Sequence, residues 1–457
     1  MKKNALIWIR NDQRLHDNEA LVSALANYEE VLPVFVIDNR LFEQSIINEK
    51  RASNRRLNFL GESLLNLQSN YKNIGGNILC LQGKVAEKII SVCKQFEIDT
   101  IYTSAEYTAE EQSDELLIMK AGLNLKLFHQ NTLLHIDDLD FEIEKLPNIF
   151  TEFRKRVEKV GHFRTPLPKP SKIRIPAGID FSATELNIKT HLITSIENDP
   201  RAAITFVGGE TQALKRLHYY LFESKSIANY KETRNELLGE NYSSKFSAWL
   251  TLGNISARQI KAEITMFEEN ITSNESTYWL VFELLWRDYF NFVSLKYGKR
   301  IFTKSGIKKV IQNSDGQSST HFENWKTGKT GNTFVDANMV ELVKTGFMSN
   351  RGRQNVASYL VKDLNVNWQL GASFFEHHLI DFDASSNFCN WQYVAGIGND
   401  PRENRYFNTI TQAQRYDAEA MFIKTWLPHL SKLHPKAAIS PWLFYPKEYK
   451  QPVFLKE

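Results

Sequence analysis

Three cysteines in 457 residues, at 80, 93 and 389, are too few and too scattered for a disulfide framework or a structural zinc site. No CxxC spacing occurs, so the thiols suit a reducing compartment. Long apolar runs are also missing. The opening MKKNALIWIRND carries only Ala5 to Ile9 before an arginine interrupts it, which is too short for a signal-peptide core. No run approaches the roughly 20 residues that span a bilayer. Together these absences lead us to expect a cytoplasmic protein. Neither GxGxxG nor GxxxxGK[ST] is present, so a plain dinucleotide or P-loop fold lacks its phosphate-binding signature. Excess charge is small as well. Lys+Arg 56 against Asp+Glu 53 leaves +3, so a nucleic-acid site would have to be a local patch. A metal is not expected: the adjacent His377 and His378 would point about 100° apart on a helix.

Tryptophan is nearly absent from the first half, where only Trp8 of nine precedes residue 249. A large aromatic helical core fits the other eight, and so does a chromophore pocket with a redox path. The two halves differ in pattern too. Residues 1–130 alternate strand and helix signals, which predicts a doubly wound parallel α/β domain. Strands are predicted at 5–9, 31–37, 77–81, 100–103 and 125–129. Helices are predicted to about 24 from a cap at Asp17 or Asn18, then at 53–68, 84–96 and 109–121. Residues 131–204 hold six of the thirteen prolines and read as an extended connector. Within it, FTEFRKRVEKV (150–160) is a short basic helix for which a solvated face is an adequate reading. From residue 205 to 457 the pattern is helical.

The densest chemistry lies between Thr345 and Phe407. Asn350 and Arg353 share a helical face, and that helix continues through Val356 to Leu364. Asn365 and Trp368 are assigned to a loop. A second helix, 372–380, leads into Asp381 and Asp383, and a third carries Asn387 and Trp391 four residues apart. Buried ions and amides are tolerated only when partnered, so this set implies a polar, flat occupant. The runs NRGRQNVASYL and NFCNWQYVAGIGNDPRENRYFN closely resemble the flavin-binding core of photolyases and cryptochromes, in particular the DASH cryptochrome branch. The resemblance extends from IWIRNDQRLHDNEAL to FIKTWLPHL, nearly the whole chain.

That resemblance implies an all-helical FAD-binding domain behind the α/β domain. It places FAD against Tyr230, the turn Ser243, Ser244, Lys245, Phe246 and Ser247, then Glu283, Arg287, Asn350, Arg353, Asp381, Asp383 and Asn387. Asp381 and Asp383 would both pair with Arg353, and Asn387 would face flavin N5. Read alone, YSSKFS is an ordinary serine cap. Trp391 and Trp368 match the first two members of an electron-carrying tryptophan chain, although read alone they are core indoles. The stretch corresponding to the third member, 307–316, has no tryptophan, and Trp325 belongs to a different motif. Glu283 and Trp286 match residues lining the lesion cavity. Arg234, Arg351, Gln354, Tyr393 and Arg402, with Arg405 and Lys329, are candidate DNA contacts. Glu110 and Glu111 match positions touching a methenyltetrahydrofolate antenna, where Glu is also favoured by the helix dipole. The function implied is light-dependent repair of cyclobutane pyrimidine dimers by an FAD-driven photolyase. Gln354 and Tyr393 replace Met and Trp of duplex-repairing members and point to single-stranded DNA. The protein is expected to act as a monomer. The alternative is a blue-light photoreceptor that binds DNA without repairing it.

Overall fold

The computed structural model describes residues 2–310, 319–402 and 405–454. Its first layer is a five-stranded parallel sheet of order β3-β2-β1-β4-β5, with β1 Lys2–Ile9, β2 Tyr28–Asp38, β3 Leu79–Gly83, β4 Thr100–Ser104 and β5 Asn124–Phe128. Helices α1 Glu19–Asn27, α2 Asn54–Asn73, α3 Val85–Gln95 and α4 Ala109–Lys120 make the crossovers. Successive side chains of a strand face opposite ways. Thus Ala5, Ile7 and Ile9 enter one apolar cluster with α1 and α2, while Leu6 and Trp8 enter another with α3. Burial on both faces is why β1 and β2 read as unbroken apolar runs. Asn18, rather than Asp17, caps α1: its side chain accepts from the Leu21 amide.

Between the sheet and the helical region the chain is more ordered than its composition implies. Helix α5 spans Phe150–Val160 and α6 spans Ser182–Leu192. The solvated face expected for 150–160 is present at Glu152, Lys155 and Lys159, but the helix also has a buried face. Phe150, Phe153 and Val157 are buried in the core of the helical region, because the apolar positions at i, i+3 and i+7 form one stripe.

The remaining helices are α7 Glu210–His218, α8 Tyr230–Thr233, α9 Ser247–Thr251, α10 Ala257–Asn270, α11 Glu275–Tyr297, α12 Ser319–Lys326, α13 Thr333–Thr345, α14 Asn350–Ser358, α15 Trp368–His378, α16 Ala384–Ala395, and four short ones from Thr409 to Phe444. Trp368 begins α15, against the expectation of a loop; Asn367 takes the capping position and accepts from the Gln369 amide. Among the described residues, no helix is long and apolar enough to cross a membrane.

The two layers are locked by the segment Gln13–Asp17. The Gln13 amide donates to the Leu252 carbonyl at 3.1 Å and Arg14 to the Gly253 carbonyl at 3.0 Å. The Glu210 carboxylate accepts the amides of Leu15 and His16, and Asp17 pairs with Arg258 at 2.9 Å with both side chains buried. Gly253 is required at this seam. Its φ is +65°, and a Cβ there would lie 1.9 Å from the Asn11 carbonyl oxygen.

Candidate flavin cavity and lesion site

A cavity of about 310 Å³ opens among α8, the 242–247 turn, α11, α14 and α16. Every residue expected to hold FAD lines it: Tyr230, Ser243 to Ser247, Glu283, Arg287, Asn350, Arg353, Asp381, Asp383 and Asn387. Five separate elements supply these side chains, so no local pattern could have placed them together. The floor is apolar, from Leu280, Leu284, Phe375, Leu379 and Val394.

The polar walls are braced from behind. Arg353 donates from Nη2 to both oxygens of Asp381, at 3.0 and 2.8 Å, and from Nε to the Met348 carbonyl. Asp383 does not join this pair, contrary to expectation. It is the N-cap of α16 and accepts from the Ser386 amide at 2.7 Å, because the chain turns into a new helix there. Asn387 donates from Nδ2 to the Ala372 carbonyl at 3.1 Å, which fixes its amide plane against α15.

In the turn, Lys245 adopts φ +63° and its ammonium lies over the Tyr242 ring. Burial holds this ammonium well below the usual lysine range. Burial also pushes the Glu341 carboxyl up to about 8, against the pull of Lys245 and Arg353. The buried Tyr242 hydroxyl lines the cavity with no hydrogen-bond partner among the described residues. Arg216, which the sequence did not single out, donates to the carbonyls of Ser243 and Ser244 and holds the turn open. Its place on α7, some thirty residues upstream, leaves no local signal. Because α9 is only five residues long, hydroxyls and turn amides, more than a helix dipole, are what the turn offers an anion. A buried ammonium, an arginine, the unpartnered Tyr242 hydroxyl and an apolar floor fit a flat, phosphate-bearing cofactor such as FAD.

The expected DNA contacts divide. Arg234 and Gln354 line the same cavity, and Arg234 forms an ion pair with Glu283 instead of reaching outward. Burial raises the Glu283 carboxyl above its ordinary range, opposed by that arginine. Arg351 is half-buried and donates to Gln354, Gln412 and Asn235. Arg402 and Lys329 are exposed, and Arg405 is held by Asp400 and the Tyr393 hydroxyl. Trp286 lies outside the cavity lining. One face of its indole stacks on Phe150, with centroids 3.7 Å apart, and Tyr393 meets it edge-on at 6.0 Å. Trp391 packs closely against Gly371, with Trp325 at 6.2 Å and Phe375 at 5.1 Å as ring neighbours. Trp368 packs instead on Phe388 and donates to the Lys304 carbonyl. The stretch corresponding to a third tryptophan falls partly outside the described residues, from 311 onward.

A second cavity, about 220 Å³, lies between the sheet and the helical region. Glu111 lines it. Glu110 does not; it is drawn into a two-point ion pair with Arg51, at 2.8 and 2.9 Å. In its place Glu106, which the sequence did not single out, faces the cavity beside Arg10 and Asn11. Burial pushes its carboxyl up to about 8.

Comparison with known proteins identifies the family. The family model "DNA photolyase" matches residues 5–171, and "FAD binding domain of DNA photolyase" matches residues 279–456. Cryptochrome DASH of Gloeobacter violaceus is 42% identical over 98% of this chain and 90% of its own length. Cryptochrome DASH of Xenopus laevis is 44% identical over 95% of this chain and 84% of its own. The crystal structure of a cryptochrome from Synechocystis sp. PCC6803 superposes with a TM-score of 0.93 at 40% identity, covering 99% of this chain and 97% of that one. With near-complete coverage on both sides and a cavity donor set suited to FAD, the chain belongs to the photolyase/cryptochrome family, in its DASH cryptochrome branch.

Proposed function

We propose that this protein is a light-dependent photolyase that repairs cyclobutane pyrimidine dimers, preferentially in single-stranded DNA. The observation that carries the reading is the meeting, in one cavity, of the expected cofactor residues with Glu283, Arg234 and Gln354, the groups suited to a base edge. When bound, reduced FAD supplies a photoexcited electron donor; the protein supplies orientation and electrostatics. Arg353, held by Asp381, presents fixed guanidinium donors at one edge of the cavity without adding net charge. Asn387 presents an amide whose plane is already locked, so no reorganisation is needed on binding. Glu283, its carboxyl raised by burial and opposed by Arg234, offers its oxygens to the N–H edge of a pyrimidine. The half-buried Trp286, stacked on Phe150, is assigned as the aromatic surface nearest the lesion.

Flipping a dimer out of a duplex costs a few kcal/mol in base-flipping enzymes generally, photolyases included; single strands largely avoid it. Gln354 and Tyr393, with the Tyr393 hydroxyl tied to Arg405, give a polar rim with less apolar surface to repay that cost. The second cavity, with Glu111 and Glu106 on its wall, is assigned to a methenyltetrahydrofolate antenna, whose pterin N–H edge a carboxylate can accept. The DNA contact itself is assigned to the monomer.

The photoreceptor reading has one observation in its favour. Glu283 is already ion-paired and one Trp286 face is already covered, so the lesion groups are partly committed before any substrate arrives. Light-driven repair of a thymine-dimer oligonucleotide by the photoreduced protein, single-stranded and duplex in parallel, decides between them. Repair of the single strand alone is expected. Repair of both would remove the role given to Gln354 and Tyr393. No repair of either, with FAD bound and reduced, would overturn the enzyme reading in favour of the photoreceptor.

A further inference from the structure

At the seam behind the flavin cavity, Glu49, His377 and His378 place a carboxylate oxygen and two imidazole nitrogens within 4.8 Å of one another. Glu49 sits on a turn closed by the Gln44–Lys50 bridge and by the Ser45 amide donating to the Glu49 carbonyl. Ile47, buried in the Trp325 cluster, anchors that turn to the helical region. The two histidines end α15, and their rings are 4.5 Å apart and nearly perpendicular. Sequence spacing set them about 100° apart on a helix; the third partner comes from over three hundred residues away.

Two details of the geometry point to a cation. His377 Nδ1 lies 2.6 Å from the Lys50 carbonyl oxygen, a contact that requires the proton on Nδ1. Its Nε2 is then left facing Glu49 Oε2 at 3.4 Å. In the neutral ring both of those atoms are acceptors, so nothing holds them together. A metal-bound histidine characteristically donates its other N–H to a carbonyl. With Zn–N and Zn–O bonds near 2.0–2.1 Å, two tetrahedral ligands stand roughly 3.4 Å apart, the separation seen here. His378 brings its imidazole nitrogen within 4.8 Å of both, close enough to serve as a third ligand. Lys326 lies 3.5 Å from the other Glu49 oxygen, but it is paired more closely with Glu323 at 3.0 Å. Glu49, Glu323 and Lys326 therefore sum to one negative charge beside two imidazoles. Lys50, Arg55 and Lys344 border the adjoining open pocket, partly offset there by Glu197 and Asp199.

We propose that Glu49, His377 and His378 form a divalent-metal site of zinc type, with water as fourth ligand, that clamps the 44–50 turn to the end of α15. The competing arrangement is a protonated His377 ion-paired with Glu49, which needs no metal. Tag-free, flavin-loaded full-length protein is stripped with EDTA, exposed to Zn²⁺ and dialysed, and its zinc is counted. About one zinc per chain is expected, with a thermal midpoint raised by a few degrees that EDTA reverses. Glu49→Gln and His377→Gln should each weaken retention at least tenfold, while Co²⁺ in the parent gives the visible absorption of a four-coordinate site. No retained zinc in the parent overturns the site, as does equal retention in both variants. If the variants misfold, a flat Co²⁺ spectrum in the parent overturns it independently.

Discussion

At the scale of single residues, the chemistry is set by burial. Arg353 and Asp381 satisfy each other across two elements, and removing one partner of such a pair costs about 3–5 kcal/mol because the other is stranded. Arg353→Ala should therefore lose FAD or fold poorly. The ratio of flavin to protein absorbance after purification checks this, and normal retention would contradict the placement. Glu106 carries a pH signature. Its carboxyl is raised from 4.5 to about 8, so between those values the folded state holds a proton that the unfolded state has released. Its contribution is therefore favourable at low pH and is lost as pH rises toward 8. Glu106→Gln should flatten the decline of the thermal midpoint between pH 5 and 8.5 relative to the parent; parallel curves would refute the assignment. Glu106 escaped the sequence reading because its neighbours Glu110 and Glu111 fit a helix start equally well. Only the Arg51 contact shows that Glu110 faces elsewhere.

At the scale of elements, α15 and α16 decide how Trp391 is held. Gly371 is the point of closest approach: a Cβ there would stand 2.2 Å from Trp391 Cη2 and 2.6 Å from Leu360 Cδ2. Gly371→Ala should cost about 1–3 kcal/mol by overpacking. Because Trp391 lines the cofactor cavity, the same change should lower flavin occupancy and shift tryptophan fluorescence. An unchanged midpoint and emission spectrum would show that the helices yield freely. The helices themselves were legible from capping residues and periodicity. The burial of Phe150 was not, since a basic helix between prolines looks solvated until the stack on Trp286 is seen.

At the scale of the whole molecule, the α/β and helical regions are joined by a short polar seam. Arg258 and Asp17 are both almost fully buried there, one from α10 and one from the segment before α1. Arg258→Met leaves the Asp17 carboxylate uncompensated, a loss of about 3–5 kcal/mol. Calorimetry should show the parent's unfolding transition lowered and broadened as the α/β region melts ahead of the helical one. A single transition at the parent temperature would mean that the seam adds little to cooperativity.

What the sequence determined by itself was periodic and local: parallel strands from unbroken apolar runs, a helix start at Asp17 or Asn18, and family membership from long motifs in order. Which polar groups meet was decided by tertiary structure alone. Arg353 chose Asp381 over Asp383, Arg234 turned inward to Glu283, and Arg216 reached back to the serine turn. Each of these pairings spans tens of residues. A charged side chain in low dielectric takes whichever partner packing brings within hydrogen-bond reach, and sequence spacing carries no record of that distance.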